Sequence, residues 1–220
     1  MGILHKAKRK LLFGARQKAS HGQLIQELIG RNIHFSGKET VFVETGCGVS
    51  TVALARSAEN GRAIVYSCDI NSEKADELKT LSEGVVDYVQ FLIGSSLDSL
   101  KEISMRHRKV DFLFLDSAAS AMYTFQEFQI MEKSLQPGSV LLVDNAAIPG
   151  ETRLLSPVRK GKILVPYLLA SPFWEVTGYP EAGDSMVAAL LHDSPDYADP
   201  QYEDPDYIDN WRTLFRKELD

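Results

Sequence analysis

The sequence predicts one α/β domain in which helices cover both faces of a mostly parallel sheet. Five short apolar runs, VFVETG, AIVYSCDI, YVQFLIG, VDFLFLD and SVLLVD, start about 20 to 30 residues apart between residues 41 and 144. Helical segments lie between them, and this alternation is typical of βαβ units. This alternation of apolar runs and helical segments ends after Asp144. The later segments FWEVTGYP and SMVAALLH predict an antiparallel hairpin at one edge of the sheet. We therefore expect five parallel strands and then a C-terminal hairpin.

Length and composition agree with a single globular domain. The chain has 220 residues, of which 44% are hydrophobic, a formal net charge of -6 and two cysteines. These values exclude a disordered chain, a collagen-like repeat and a disulfide scaffold. The net acidity disfavours nucleic acid as a general partner, and no apolar run is long enough for a membrane span. We expect a cytoplasmic protein in which Cys47 and Cys68 are small buried residues.

The sequence predicts three parts of the chain. Residues 1–35 are predicted to form a basic arm and a leading amphipathic helix, with Ser20 as its N-cap. Residues 36–192 form the domain, in which the Pro- and Gly-rich stretch 146–172 is predicted to be an irregular, variable insertion. Residues 193–220 hold nine acids and three bases, and we expect an acidic tail with a short terminal helix.

A glycine loop joins the first predicted strand to a helix and indicates a nucleoside ligand. The sequence ETGCGVS at residues 44–50 places glycines where the backbone must approach a ligand closely. A dinucleotide loop of the G-x-G-x-x-G form needs a third glycine where this chain has Thr51. Glu44 suits an ammonium or sulfonium group better than a phosphate, which favours S-adenosylmethionine over NAD. Asp69 ends the second strand and can accept hydrogen bonds from ribose hydroxyls.

With this loop and strand order, residues 35–192 resemble the class I S-adenosylmethionine-dependent methyltransferases. The resemblance implies a Rossmann-like, seven-stranded sheet that binds the cofactor over the carboxyl ends of strands one, two and four. The residues that it assigns to S-adenosylmethionine are Glu44, Gly46, Gly48, Ser50, Asp69, Ser95, Ser96 and Asp116.

Polar side chains also end the fourth and fifth strands. Asp116 follows strand four, and Asp144 and Asn145 follow strand five, so the three should face one crevice. Carboxylate and amide oxygens suit Mg²⁺. The residues alone leave equal room for a second interpretation, in which Asp116 contacts the cofactor or caps a helix while the other two hold a turn.

LLVDNAAIPG, residues 141–150, is similar to the segment that ends strand five in the catechol and caffeoyl-CoA type O-methyltransferases. That resemblance implies that Asp116, Asp144 and Asn145 hold a divalent cation, with Asp116 also catalytic. It implies metal-assisted O-methylation of a small hydroxylated acceptor. The catechol enzyme has a lysine base where this chain has Ala119. The general base therefore stays open, with His34 and Asp184 as candidates.

Two other functions stay open at this point. An NAD-dependent oxidoreductase is disfavoured by Thr51 and because Tyr123 is followed four residues later by Glu127 rather than by lysine. A non-catalytic S-adenosylmethionine-binding protein is the other alternative. As partners we expect a small-molecule acceptor and neither nucleic acid nor a membrane, and we allow for a homodimer.

Overall fold

A computed structural model describes residues 20–35, 39–61, 63–82, 84–146, 160–180, 182 and 185–193. The strands of these residues are β1 (Thr40–Thr45), β2 (Ala63–Asp69), β3 (Val89–Ile93), β4 (Val110–Leu115), β5 (Leu135–Val143), β6 (Trp174–Tyr179) and β7 (Met186–Leu191). The helices are α1 (His21–Asn32), α2 (Val49–Gly61), α3 (Ser72–Leu81), α4 (Ser96–Arg106), α5 (Ala121–Met131), which runs into a short 3₁₀ turn (Glu132–Ser134), and α6 (Gly161–Ala170).

The strands form one sheet in the order β3-β2-β1-β4-β5-β7-β6. The first five in this order pair in parallel, whereas β7 runs antiparallel to both β5 and β6. The predicted fold, five parallel strands with a C-terminal antiparallel hairpin, is confirmed. The chain moves outward from β1 to β3 and then returns to β4. A crevice is therefore expected between the carboxyl ends of β1 and β4, where the order reverses.

The sheet is buried between two helical layers. Every residue of β1 and of β4 is buried. One face of the sheet packs against apolar side chains of α4, α5 and α6, and the other face packs against α1 and α2. Strands covered on both sides read as nearly continuous apolar runs, which is why the sequence marked them so clearly. The predicted burial of Cys47 and Cys68 is also confirmed, and both are free thiols.

The leading helix α1 begins as the sequence predicted. Ser20 and Gln23 form a capping box, in which each side chain accepts a hydrogen bond from the backbone N–H of the other. The buried face of α1 consists of the four aliphatic residues Leu24, Ile25, Leu28 and Ile29. This cap fixes the position of the first turn, which reaches the carboxyl edge of the sheet.

Strand β5 starts four residues before the predicted run. It begins at Leu135 and contains Gly138, whose φ is +86°. The pairing with β4 shifts register between Val110 and Phe112. Pro and Gly in this stretch hid the start of the strand from a sequence reading, because both residues usually interrupt a ladder.

The predicted irregular insertion at 146–172 is wrong in its last part, because residues 161–170 form α6. Leu164, Val165 and Leu168 are buried on one side of this helix, although Pro166 lies inside it. Burial of this apolar stripe outweighs the backbone hydrogen bond that proline cannot donate.

Some predictions fall on residues outside the described ranges. They include the basic arm up to residue 19, the start of the insertion at 147–159, Asp184 in the hairpin loop, and the acidic tail with its helix from residue 194. Among the helices of the described ranges, none combines the length and the apolar character that a membrane crossing requires.

Candidate functional site

A cavity of about 300 Å³ opens at the carboxyl ends of β1, β2 and β4. Its lining includes the predicted cofactor residues Gly46, Asp69, Ser95, Ser96 and Asp116, together with Tyr123. The ends of β1, β2 and β4, which the resemblance indicated, therefore meet at one cavity.

The glycine loop is held tightly at the mouth of the cavity. Gly46 has φ +89° and its N–H donates to the Cys68 carbonyl oxygen at 2.8 Å. A Cβ at Gly46 would lie 2.5 Å from the Asp116 carbonyl oxygen. Only glycine fits this position, because both the backbone conformation and the space exclude a side chain. The loop thereby links the end of β1 to the end of β4.

Glu44 lies beneath this loop and is fully buried. Its carboxylate accepts hydrogen bonds from Ser50 Oγ at 2.6 Å, from Ser67 Oγ at 2.7 Å and from Thr51 Oγ1. Burial raises the pKa of Glu44 to about 7, although these hydroxyls and their hydrogen bonds oppose the shift. The Thr51 hydroxyl also accepts from the Gly48 N–H at 2.9 Å.

The predicted roles of Glu44 and Ser50 as cofactor contacts stay predictions. The two side chains bind each other inside the protein, and neither is among the residues that line the cavity. The physical reason is that three neighbouring hydroxyls satisfy the buried carboxylate. In the sequence, Thr51 only disfavoured an NAD-binding loop, whereas in the structure its hydroxyl helps to fix the glycine loop.

Asp69 lies at the end of β2 with its carboxylate at the cavity. Its oxygens accept from the backbone N–H of Cys47 at 2.9 Å and of Asn71 at 2.8 Å, and Lys74 Nζ lies 3.5 Å away. Burial raises its pKa, but the backbone N–H of Asn71 and the contacts with Cys47 outweigh burial and hold the pKa below its ordinary value. Asp69 is therefore a carboxylate at neutral pH, as an acceptor for ribose hydroxyls must be.

A buried glutamate on α5 orients two hydroxyls of the cavity. Glu127 is fully buried and accepts from Ser96 Oγ at 2.5 Å and from Ser117 Oγ at 2.6 Å. Ser96 Oγ also lies 3.0 Å from the Tyr123 hydroxyl oxygen. Burial raises the pKa of Glu127. Sequence reasoning missed this role, since Glu127 was noted only as the residue where an oxidoreductase would have lysine.

Next to the cavity, three side chains form a cluster that we call the acid cluster: His21, Asp116 and Asp144. One ligand atom from each lies within 4.8 Å of the other two. Asp116 belongs to both the cavity and the cluster. Asn145, at φ +52°, donates from its side-chain amide to an Asp144 oxygen. The structure thus brings together the three residues that the sequence predicted as metal ligands.

His21 is the first residue of α1 and was not predicted to take part. Its Nε2 lies 3.3 Å from Asp144 Oδ1, and its ring packs edge-on to Phe114 at 6.5 Å between centroids. Burial raises the pKa of Asp144, but the hydrogen bond and charge of His21 and the Asn145 amide together lower it to about 2. Asp144 is therefore ionised across the physiological range.

Lys160, which precedes α6, is a further residue that sequence reasoning missed. Only 4% of its surface is exposed, and its Nζ donates to Asp116 Oδ1. Burial raises the pKa of Asp116 even though the Lys160 ammonium opposes the shift. The basic stretch around Lys160 was visible in the sequence, but nothing in it indicated that one lysine returns to strand four.

Of the two candidate bases, the structure places only His34, and it does not place it at the acid cluster. His34 is exposed and follows the end of α1. Since His21 at the start of α1 touches Asp144, the helix, about 18 Å long, carries His34 toward the other edge of the sheet. Asp184 lies outside the described residues.

Comparison with known proteins agrees with this geometry. Residues 43–146 match a family model described as a methyltransferase domain. A probable O-methyltransferase of Mycobacterium tuberculosis is 27% identical over 124 residues, which cover 53% of this chain and 52% of that protein. Catechol O-methyltransferase of Mus musculus is 30% identical over 119 residues, covering 51% and 44%. The chain spans about half the length of these curated relatives.

A solved structure shows the same fold over a longer stretch. The O-methyltransferase from Bacillus cereus, in complex with S-adenosylhomocysteine, superposes with a TM-score of 0.59 over 86% of this chain and 87% of that chain, at 21% identity. Residues 43–146 are therefore similar to a methyltransferase domain, and the solved structure shows the same fold. The predicted resemblance to the class I O-methyltransferases is confirmed.

Proposed function

We propose that this protein transfers a methyl group from S-adenosylmethionine to a hydroxyl of a small acceptor. The observation that carries the proposal is the position of Asp116, which lines the cavity at the strand ends and also belongs to the acid cluster. A nucleoside in the cavity would have its reactive end beside polar groups able to receive an acceptor hydroxyl. The O-methyltransferase relatives support this acceptor chemistry.

Several groups of the cavity are suited to hold the cofactor. The ionised Asp69 carboxylate can accept hydrogen bonds from ribose hydroxyls, as it already accepts from the backbone of the glycine loop. Gly46 allows the loop backbone to approach the ligand. On the other side, Glu127 fixes the orientation of the Ser96 and Ser117 hydroxyls.

The cofactor supplies an electrophilic methyl group on a sulfonium. The acceptor oxygen forms a bond to that methyl carbon while the carbon–sulfur bond breaks and its electron pair returns to sulfur. The hydroxyl proton passes to water or to a basic group near the acid cluster. The contribution of this chain is to hold the two reactants in line in a site with fixed charges.

We further propose that Asp116, Asp144 and Asn145 hold a divalent cation, with His21 as a fourth side chain in reach. The donor set fits such an ion, because two carboxylates, an amide oxygen and an imidazole are all metal ligands and the three atoms of the acid cluster lie within 4.8 Å of one another. The imidazole extends the choice from Mg²⁺ to Mn²⁺. Such a cation would lower the pKa of an acceptor hydroxyl.

A methyl-transfer assay tests the proposed activity. Purified protein is incubated with S-adenosylmethionine labelled in the methyl group and with a panel of phenols, catechols and other small hydroxylated compounds. We expect label in at least one acceptor and its loss in Asp116→Asn. Cofactor binding without transfer to any acceptor would favour a non-catalytic binding protein. Stabilisation by NADH and not by S-adenosylmethionine in a thermal shift would favour an oxidoreductase.

Calorimetry tests the cation separately. Mn²⁺ and Mg²⁺ are titrated into the wild type and Asp144→Asn, each saturated with S-adenosylhomocysteine. We expect binding heat in the wild type only. Equal, negligible heats in both proteins would remove the cation from the proposal and leave the methyl transfer untouched.

A further inference from the structure

Lys160 is a buried cation that is paired with Asp116. Its side chain is 5% exposed, and its ammonium group bonds to Asp116 Oδ1. A lysine loses most of its hydration in such a place, so a partner of opposite charge is required to keep it there. The partner is the carboxylate that belongs to both the cavity and the acid cluster.

We propose that Lys160 is an internal competitor for a divalent cation at Asp116 and sets how tightly the acid cluster binds metal. This inference rests on the proposed cation site. With Lys160 in place, Asp116 Oδ1 already has a positive partner. A metal ion that takes this oxygen must displace the ammonium group.

The charges of the site favour binding of either the Lys160 ammonium group or a divalent ion at Asp116, but not of both together. Asp116 and Asp144 carry two negative charges, which a single divalent ion balances. Lys160 alone leaves one of them for His21 and Asn145 to stabilise. A divalent ion and the ammonium group together would put three positive charges on two carboxylates in a partly buried site, where like charges repel more strongly than in water.

The backbone at Lys160 fixes where this lysine starts. Gly161 follows it and packs against the turn after β5, so closely that a Cβ there would lie 2.0 Å from the Ala146 carbonyl oxygen. The segment is therefore anchored beside Asn145, and displacement of the ammonium group has to come from rotation of the lysine side chain. Four rotatable bonds give that side chain the reach.

The experiment compares Mn²⁺ affinity among matched variants. Free Mn²⁺ is counted by electron paramagnetic resonance at one pH, with S-adenosylhomocysteine present. The proteins are the wild type, Lys160→Met, Lys160→Arg, Lys162→Met and Asp144→Asn. Methionine keeps much of the apolar stem of Lys160 and removes its charge. Lys162 is exposed and serves as the matched control.

We expect Lys160→Met to bind Mn²⁺ at least about tenfold tighter than the wild type, the scale on which groups around metal ligands change affinity. Lys160→Arg and Lys162→Met should stay within about twofold of the wild type, because both keep the charge at position 160. Far-ultraviolet circular dichroism and S-adenosylhomocysteine binding confirm that each variant is folded.

Two results would overturn the competition. Equal or weaker Mn²⁺ binding in Lys160→Met, with binding lost in Asp144→Asn, would contradict it and leave the cation site standing. An absence of Mn²⁺ binding from every folded variant, including Lys160→Met, would remove the cation site and the competition together.

Discussion

The two halves of the site are built in different ways. At the ends of β1 and β2, each functional group is held by partners within the first βαβ unit, at most 23 positions away. Asp69 accepts from Cys47 and Asn71, and Glu44 accepts from three hydroxyls of β2 and the start of α2. At the ends of β4 and β5, the partners come from remote segments. Lys160 reaches Asp116 across 44 positions, and His21 reaches Asp144 from the first described helix.

This difference shows which part of a site a motif can describe. The half at the ends of β1 and β2, which we call the cofactor half, depends on geometry that glycines and hydroxyls fix within one βαβ unit, so a sequence motif can describe it. The acceptor half depends on how α1 and the segment before α6 fold back onto the sheet. Changes of acceptor chemistry are therefore expected there, where one lysine or histidine alters the charge of the acid cluster.

The largest expected effect lies where the two halves meet, at Gly46. In Gly46→Ala the new Cβ would lie 2.5 Å from the Asp116 carbonyl oxygen, at a backbone φ of +89°. We expect a loss of at least about 3 kcal/mol in the free energy of unfolding, measured with urea. Gly30→Ala is the control, because nothing lies within 4 Å of its added Cβ, and it should gain up to about 1 kcal/mol. Similar losses of unfolding free energy in both variants would contradict the close contact between Gly46 and the Asp116 carbonyl oxygen.

The cofactor half should show a pH dependence that comes from Glu44. Burial raises its pKa from 4.5 to about 7, so its protonated form stabilises the fold below pH 4.5, and this contribution is lost as the pH rises through 7. Glutamine at this position does not titrate. As the pH rises through 7, the free energy of unfolding of Glu44→Gln should therefore gain on the order of 2 kcal/mol relative to that of the wild type. Urea unfolding at pH 5, 6, 7 and 8 measures the difference. A difference that does not change with pH would show that Glu44 is ionised throughout.

The acceptor half should respond more weakly to the loss of His21. His21→Ala removes a partly exposed partner of Asp144 and is expected to cost about 1 kcal/mol at pH 7. The lowered pKa of Asp144 means that its stabilisation is present above pH 4 and is lost as the pH falls toward 2. Between pH 4 and pH 2, the free energy of unfolding of His21→Ala should therefore fall by less than that of the wild type. His34→Ala, an exposed histidine, is the control and should behave as the wild type.

The smallest effect is expected outside both halves. Arg31 pairs with Glu27 on the exposed side of α1 at 2.6 Å. Arg31→Ala should change the free energy of unfolding by no more than about 0.5 kcal/mol, because water and salt screen an exposed ion pair. A loss as large as that of His21→Ala would show that the cost of the His21 variant comes from α1 as a whole rather than from Asp144.

The sequence predicted the sheet and its hairpin, since buried strands are continuous apolar runs. Of the residues that it assigned to the cofactor, those that line the cavity are Gly46, Asp69, Ser95, Ser96 and Asp116. It predicted Asp116, Asp144 and Asn145 at one place because parallel strands end at the same edge. It did not predict α6, whose Pro166 is typical of a loop. Nor did it indicate His21 or Lys160, because contacts between remote segments depend on tertiary packing and leave no local pattern.

The most direct test of the central claim is a calorimetric titration of S-adenosylhomocysteine into the wild type, Asp69→Asn and Asp76→Asn. We expect one binding site in the wild type, an affinity at least about tenfold lower in Asp69→Asn, and no change in Asp76→Asn, whose carboxylate is on the surface. Absence of binding in the wild type, or equal affinity in all three proteins, would contradict a cofactor site at the end of β2.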